Sequence, residues 1–443
     1  MTVTRSLLLG VSCLGVACAG GPRPTAVTPA DIPALQTQAG QQPNNARVRF
    51  HLAAALMAAG RCDTAVVVAR AAQLLAPADA VGPLVVGGCQ ERDGRYDLAF
   101  ATYTAFAAQH AEARGVAAVR AKAQLALRTQ AEQTARAALA RESTLTALPP
   151  EPSTLAVLPV TISGDSSFQP LSRGLAELMT SDLSLVRTLR LLERIQIGAL
   201  LDEMKLGQSA RADSGTAVRV GRLLRAERMV QGVASIAQDG PVRLSASVVR
   251  GDGSVRSGAQ ANGTFKQLLD LEKQLVFGVA AQLGIQLTDA ERQRILRQGP
   301  RNLAAFLAYS EGLEAMDRGD YAAAAQAFGA AVRSDPSFQA AQQQQQTAEA
   351  APTVQQAAAA DIVTVVEAVD RVRAPQEPPL TDALDAARKD TQASPSDVTG
   401  GITGGAADVT GREATKPNPT PDSRGISTLT QASGVIRIIF RLP

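Results

Sequence analysis

Four cysteines and two histidines carry most of the chemistry that this 443-residue chain could perform. Cys13 and Cys18 sit near the start. Arg5 precedes an apolar run from Ser6 to Ala17, about a dozen residues and too short to span a bilayer, which takes roughly 20. The run ends at Gly15-Val16-Ala17-Cys18. A basic start, a short apolar run and a small residue before a thiol have the architecture of a bacterial export signal (residues 1–18), in which the Cys18 thiol takes diacylglycerol and becomes the new N-terminus. Leu14 lies one position before the place usual for leucine, and Cys13 has a shorter apolar run ahead of it. Ordinary cleavage after Ala17 or Ala19 is the other reading, and both send the chain out of the cytoplasm. Ala19 stands where an aspartate would hold a lipoprotein at the inner membrane, so the outer membrane, facing the periplasm, is the predicted address. That compartment is oxidising and permits a Cys62–Cys89 disulfide; two buried small residues in helices is the alternative.

Other chemistry is sparse. His51 and His110 fall in separate helical segments, remote from any cysteine or carboxylate at metal-ligand spacing, and read as helix-surface residues. No glycine-rich loop ends in Lys-Ser/Thr, and Gly251-Asp252-Gly253 lacks a third glycine downstream, so it reads as a turn. No catalytic residue, metal or cofactor is predicted, and the chain is not expected to be an enzyme. Forty-four Lys and Arg balance 41 Asp and Glu, giving a formal charge of +3. That removes the electrostatic case for nucleic acid or an anionic surface. With no tryptophan and 3% aromatic residues, stacking platforms and sugar clefts are also disfavoured, and no small-molecule substrate suggests itself. The expected partners are proteins, including further copies of the chain, with the membrane reached through the lipid anchor.

The elements that could serve such binding show a period. Gly60, Ala65, Ala72 and Pro77 align with Gly94, Ala99, Phe106 and Ala111 at a spacing of 34 residues. Gly319, Ala324, Ala331 and Pro336 repeat the first set, and Ala53, Gly87 and Gly312 share one position. Small residues let the helices of a hairpin approach closely, glycine suits the turn between them, and proline ends the second helix. The segments Arg47–Pro77, Val81–Ala111 and Ala305–Pro336 therefore resemble tetratricopeptide repeats, with Asn44 or Asn302 as caps; generic alanine-rich hairpins are the plainer reading. Such repeats normally bind peptides or partner proteins. Residues 30–145 and 300–345 are assigned to this architecture.

Between them the pattern changes. Thr154–Val160 is an apolar run read as a buried strand, Ser163–Ser167 a polar turn, Leu171–Val186 an amphipathic helix, Leu189–Leu192 a short strand, and Ile195–Lys205 and Thr216–Leu224 helices. Arg228–Ala237 and Val242–Arg250 read as strands beside turns at Asp239-Gly240 and Asp252-Gly253, and Gln267–Leu283 as a closing helix. The result is a mixed sheet covered by helices over residues 153–290. Its ordered short motifs are Ala156-Val157-Leu158-Pro159, Gly174-Leu175-Ala176, Asp182-Leu183, Leu192-Glu193-Arg194, Leu200-Leu201-Asp202-Glu203, Leu206-Gly207-Gln208-Ser209, Thr216-Ala217, Gly221 and Gln231-Gly232. They resemble those of the curli-secretion lipoprotein family, the CsgG type, and the opening strand and helix are shared with the N-terminal domain of the TolB type. The resemblance implies a periplasmic domain that assembles into rings and, in the curli transporter, adds long hairpins that form an outer-membrane channel. Of the charges in the motif, Glu193, Arg194 and Asp202-Glu203 would pair between subunits or, on the plainer reading, lie on a solvated helix face with a local salt bridge. The strands between Met229 and Gln267 look short for membrane strands of about 9–11 residues, and Phe265 is the sole aromatic residue there, which argues against a pore.

From Gln342 order signals fade, through a glutamine tract, a helical stretch at Ala357–Val372 and a Pro/Gly/Thr/Ser-rich linker reaching residue 425, predicted to be disordered. Residues 426–443 end in Gly434–Leu442, a β-prone strand that pairs with a sheet edge of its own or of a partner, or closes its own sheet. The fold expected is thus α+β and multidomain: TPR-like hairpins flanking a mixed α/β domain of the CsgG/TolB-N kind, then a disordered tail ending in a strand. The function expected is an outer-membrane-associated lipoprotein scaffold for envelope or curli-like secretion machinery. A pore-forming subunit of such a channel and a soluble periplasmic TPR binding protein are the alternatives.

Overall fold

The computed structural model describes residues 26–205, 213–236, 240–358 and 361–373; the predicted export segment with Cys18, the motif residues Gly207 and Ser209, and the tail with the predicted C-terminal strand lie outside them. The chain enters through α1 (Ile32–Gln41) and builds α2 (Ala46–Ala58), α3 (Cys62–Leu75), α4 (Val81–Arg92), α5 (Tyr96–Gln109), α6 (Val116–Ala140) and the short α7 (Glu142–Leu145). After the sheet come α12 (Asp289–Arg297), α13 (Leu303–Arg318), α14 (Tyr321–Ser334), α15 (Gln339–Gln356) and α16 (Ile362–Arg373).

Three hairpins, α2–α3, α4–α5 and α13–α14, turn in the same way. Gly60, Gly94 and Gly319 have φ of +78°, +72° and +77°, a region closed to most side chains. Each glycine N–H donates to the carbonyl three residues back (Met57, Glu91, Met316), and the next N–H donates to the carbonyl five back (Leu56, Gln90, Ala315). This pair of bonds is the Schellman motif, which satisfies the orphan carbonyls of the first helix. Asn45, not Asn44, caps α2 by accepting from Val48 N–H, and Asn302 caps α13 by accepting from Ala304 N–H. Ala65, Ala99 and Ala324 are fully buried at one equivalent position. At another, Gly87 lies against the Tyr103 ring and Gly312 against Phe328, while the first hairpin uses the buried pair Ala53 and Ala69. A Cβ on Gly312 would come 2.5 Å from the Phe328 ring. Gly312→Val is therefore expected to cost about 1–3 kcal/mol by overpacking, read from urea unfolding; an unchanged midpoint would refute the close approach. Cys62 on α3 and Cys89 on α4 are joined by a disulfide, with Cα atoms 5.4 Å apart, which ties the first hairpin to the second.

The sheet between the two helical segments runs β3-β1-β4-β5-β6, with β2 (Thr161–Gly164) also paired to β4. Strands β1 (Glu151–Val157), β3 (Arg190–Leu191) and β2 lie parallel to their neighbours, and β4 (Ala226–Ile236), β5 (Pro241–Arg250) and β6 (Val255–Thr264) form an antiparallel meander. Alternation sorts the side chains. Leu155, Val157, Val230 and Leu244 join a core with α8 (Leu171–Leu183) and α11 (Leu268–Gln282), whereas Ala156 and Met229 face α9 (Arg194–Glu203) and α10 (Ser214–Leu223). The architecture is α+β, with a mixed sheet and mostly helical surroundings.

Three expectations need correction. The strands after Met229 are not short: β4 has 11 residues and β5 and β6 have 10 each. Segment 255–264 has few β-branched residues, and β6 forms because β5 supplies its ladder and Ala259 and Ala261 pack in the core. Ser163, read as a turn residue, lies in β2 and extends the sheet beside β4. The glutamine tract does not end the order: α15 carries it, with Pro352 inside the helix. Ala350, Ala351 and Val354 of α15 pack on Ala117, Ala118 and Ala121 of α6, so tertiary contact overrides a weak local signal.

Candidate functional site

The Arg194 side chain lies at the first turn of α9, in a cleft of about 450 Å³ bordered by α6, α8, α9, α13 and α15. Its guanidinium makes a bidentate pair with Asp317 on α13, Nη1 to Oδ2 at 2.6 Å and Nη2 to Oδ1 at 3.0 Å, and Nε donates to Glu177 on α8 at 3.0 Å. Arg173 of α8 donates from Nε to Asp317 Oδ2 at 2.7 Å. Burial pushes the Asp317 carboxyl up, and Arg194 and Arg173 more than reverse this, leaving it below the usual range. Burial pulls the Arg194 guanidinium down and Asp317 and Glu177 outweigh it, so its charge is held still more firmly. Only 12% of the Arg194 side chain and 23% of the Asp317 side chain is exposed. The reading of Arg194 as a solvated charge is corrected: it clamps the α13–α14 hairpin to the α/β layer within the chain. Its partner, 123 residues away, had no local signal in the sequence.

The other motif residues surround this clamp. Glu193 lies beside Arg194, and burial, with Glu177 adding repulsion, raises its carboxyl to about 7. Glu203 stays at the rim, 3.6 Å from Arg136 of α6. Leu201 is buried with Ile197 and Leu200 under the sheet. Gly221 on α10 leaves room for the Met229 side chain, and Gly232 on β4 brings Val160 close, 3.0 Å from where a Cβ would stand. Gly174 plays the same part on α8, whose backbone meets Ser310 and Phe306 of α13 there. Four of these positions are thus packing requirements of one layered unit, and the acidic and basic ones are its stitching.

A second charged cluster, not legible beforehand, lies between α8 and α11. Lys273 Nζ stands 2.5 Å from Asp182 Oδ2 and 3.4 Å from Glu272 Oε2, and neither carboxylate is exposed. The histidines are separate from both clusters. His51 is half-buried on α2 with its pKa lowered by burial and by Arg47, and the His110 ring lies 5.0 Å from Phe106. Among the described residues no group of three or more His, Cys, Asp or Glu is placed to hold a metal, and no helix is long and apolar enough to cross a membrane.

Residues 153–240 match the family model of the curli production assembly/transport component CsgG. No curated protein matches the chain. The chain therefore carries a CsgG-type domain, whose family is tied to curli secretion and the outer membrane. The match runs from β1 to the end of β4, so it takes in the Glu193-Arg194 motif and all three glycine packing sites, Gly174, Gly221 and Gly232, while β5, β6 and α11 lie beyond it.

Proposed function

We propose that this chain is an outer-membrane-associated lipoprotein scaffold that assembles with copies of itself and recruits envelope proteins to curli-like secretion machinery. The observation that carries the reading is the CsgG-type match over a layer that Arg194 and Asp317 lock to a helical hairpin. That lock supports a rigid unit in which a secretion-family domain and protein-binding helices act together. The hairpins' common turn, common small-residue positions and 34-residue register support their reading as tetratricopeptide repeats. Cys18 is the proposed lipid attachment, and the function is binding in place of catalysis.

The pore-forming alternative draws on strand length, since β4, β5 and β6 meet the roughly 9–11 residues a membrane strand takes. Against it, Val230, Ala234, Val242, Leu244 and Ala259 are committed to the core with α8 and α11, so a lipid-facing hairpin would first have to leave that packing. The scaffold reading keeps them in place.

One preparation tests the reading. The chain is expressed with its export segment, with Cys18 intact or as Cys18→Ala, fractionated and sized by light scattering in detergent. The expected result is a many-copy particle for both, membrane-bound with Cys18 and released with alanine. A monomer at every concentration removes the assembly, and an unchanged membrane fraction for Cys18→Ala removes the anchor.

A further inference from the structure

Helix α16 packs against α15 and lies across a face shared by α2, α4 and α6, the opening helices of successive layers of the N-terminal stack. Its buried residues lie at helical spacing: Ile362 and Val363 join the core of the N-terminal stack, and Val365 and Val369 pack with α6 and α15. Ile362 reaches toward Gly88 of α4, and Val366 sits so close to Gly115 that a Cβ there would come 2.7 Å from Val366 Cγ1. One turn on, Asp370 Oδ1 accepts from the Gly115 N–H at 2.8 Å and Oδ2 accepts from Arg114 Nε at 2.9 Å. Gly115 immediately precedes α6, a helix of 25 residues, so the carboxylate meets an orphan N–H and the positive end of a long helix together. Glu367 adds an ion pair with Arg47 of α2 at 3.8 Å. Apolar anchors at helical spacing followed by a carboxylate at a fixed point describe helix-in-groove recognition.

We propose that this face is a docking site for a short acidic amphipathic helix of a partner protein, and that α16 is the resident occupant a partner displaces. Two observations favour exchange. The resident fit is incomplete: a hollow of about 150 Å³ remains between Ile362 and Val365 of α16 and Met57, Leu84 and Gly88, with Glu91, Arg92 and Lys122 and Val354 of α15 also in its lining. A partner with a larger aliphatic or aromatic side chain there fills it. The two arginines are also matched to acidic residues yet open to solvent, with the Arg114 side chain 82% and that of Arg47 76% exposed, so their ion pairs hold α16 weakly and the bond from the Gly115 N–H to Asp370 is the main polar anchor. Helix α16 follows the end of α15 after five intervening residues in the sequence, so its effective concentration at this face is on the order of millimolar. A partner's apparent affinity falls by the fraction of chains whose site is open. The inference rests on the helical face alone, so its failure leaves the CsgG-type reading standing.

The test uses the full chain and, as probe, a fluorescent synthetic peptide with the sequence of residues 357–373. Asp370→Arg and Val366→Glu in the chain each remove an anchor of α16 without touching the site. Both variants are expected to bind the peptide at least tenfold more tightly than the unmodified chain, and a peptide carrying Asp370→Arg is expected to bind them at least tenfold more weakly. Hydrogen exchange over α16 reports its release. A variant whose α16 is released but which binds no peptide overturns the docking site. Two variants in which α16 stays protected overturn its displacement. An unmodified chain that forms dimers by exchanging α16 overturns the partner protein in favour of a second copy.

Discussion

Asp317→Ala is expected to lower the unfolding free energy by about 3–5 kcal/mol, because it removes the bidentate partner of the buried Arg194 and the carboxylate that Arg173 also meets. Among the described residues Arg194 would keep Glu177, at 3.0 Å, and Arg173 would lose the carboxylate it meets at 2.7 Å. The loss should be local at first. Asp317 carries the ion pairs that bind α13 to α8 and α9, so urea unfolding is expected to split, with the α13–α14 hairpin parting from the sheet before the sheet melts. Replacing both partners, with Arg194→Met and Asp317→Leu together, should recover most of the loss, since a well-packed apolar pair often equals a buried ion pair. Glu142→Ala is the control. Its pair with Arg219 is just as short, 2.6 Å, but the side chains are 32% and 47% exposed, and such pairs contribute roughly 0.2–1 kcal/mol. If Asp317→Ala costs no more than Glu142→Ala, the clamp is a surface contact and the rigid-unit reading fails with it.

The contrast between those two pairs explains what could be read from the residues in order. The turn glycines and buried alanines announce themselves because a Schellman turn and a close helix crossing have local requirements, repeated every 34 residues. The CsgG-type motifs are legible in the same way: Gly174 and Gly221 mark positions where a Cβ has no room and Gly232 one where it would crowd Val160, and such demands stay in the sequence wherever the rest of the fold goes. The clamp is different. Arg194 has nothing nearby to distinguish it from a solvated charge, and its partner lies on a hairpin beyond the sheet. β6 and α15 were obscure for a related reason, since partners distant in sequence, β5 for one and α6 for the other, supply what their own residues lack. Position within a local motif was readable; the partner chosen across the fold was not.

The pH dependence of stability should be set by a cluster of that second kind. Lys273 offers one ammonium to two buried carboxylates, and among the described residues Asp182 Oδ1 and both Glu272 oxygens make no hydrogen bond. Burial pushes both carboxyls up, Asp182 to about 6 against the pull of Lys273, and Glu272 to about 8 with repulsion from Asp182 adding to burial. A proton kept on Glu272 resolves the shortage, because the acid can donate to Asp182 where two carboxylates would repel. The folded chain thus holds this proton more tightly than the unfolded chain, where a glutamic acid titrates near 4.3. The resulting stability is full below about pH 4 and is lost as the pH rises through about 8. Lys273 remains charged throughout this window, with its own pKa raised because the two carboxylates outweigh its burial. Glu272→Gln replaces the neutral acid by a neutral amide of the same shape. It is expected to match the parent near pH 5 and to exceed it by on the order of 2–4 kcal/mol at pH 9, since each pKa unit corresponds to about 1.4 kcal/mol. Urea midpoints at pH 5, 7 and 9 read this directly. Parallel curves for the two proteins would mean that Glu272 is ionised in the fold at neutral pH, and that Lys273 alone suffices for both carboxylates.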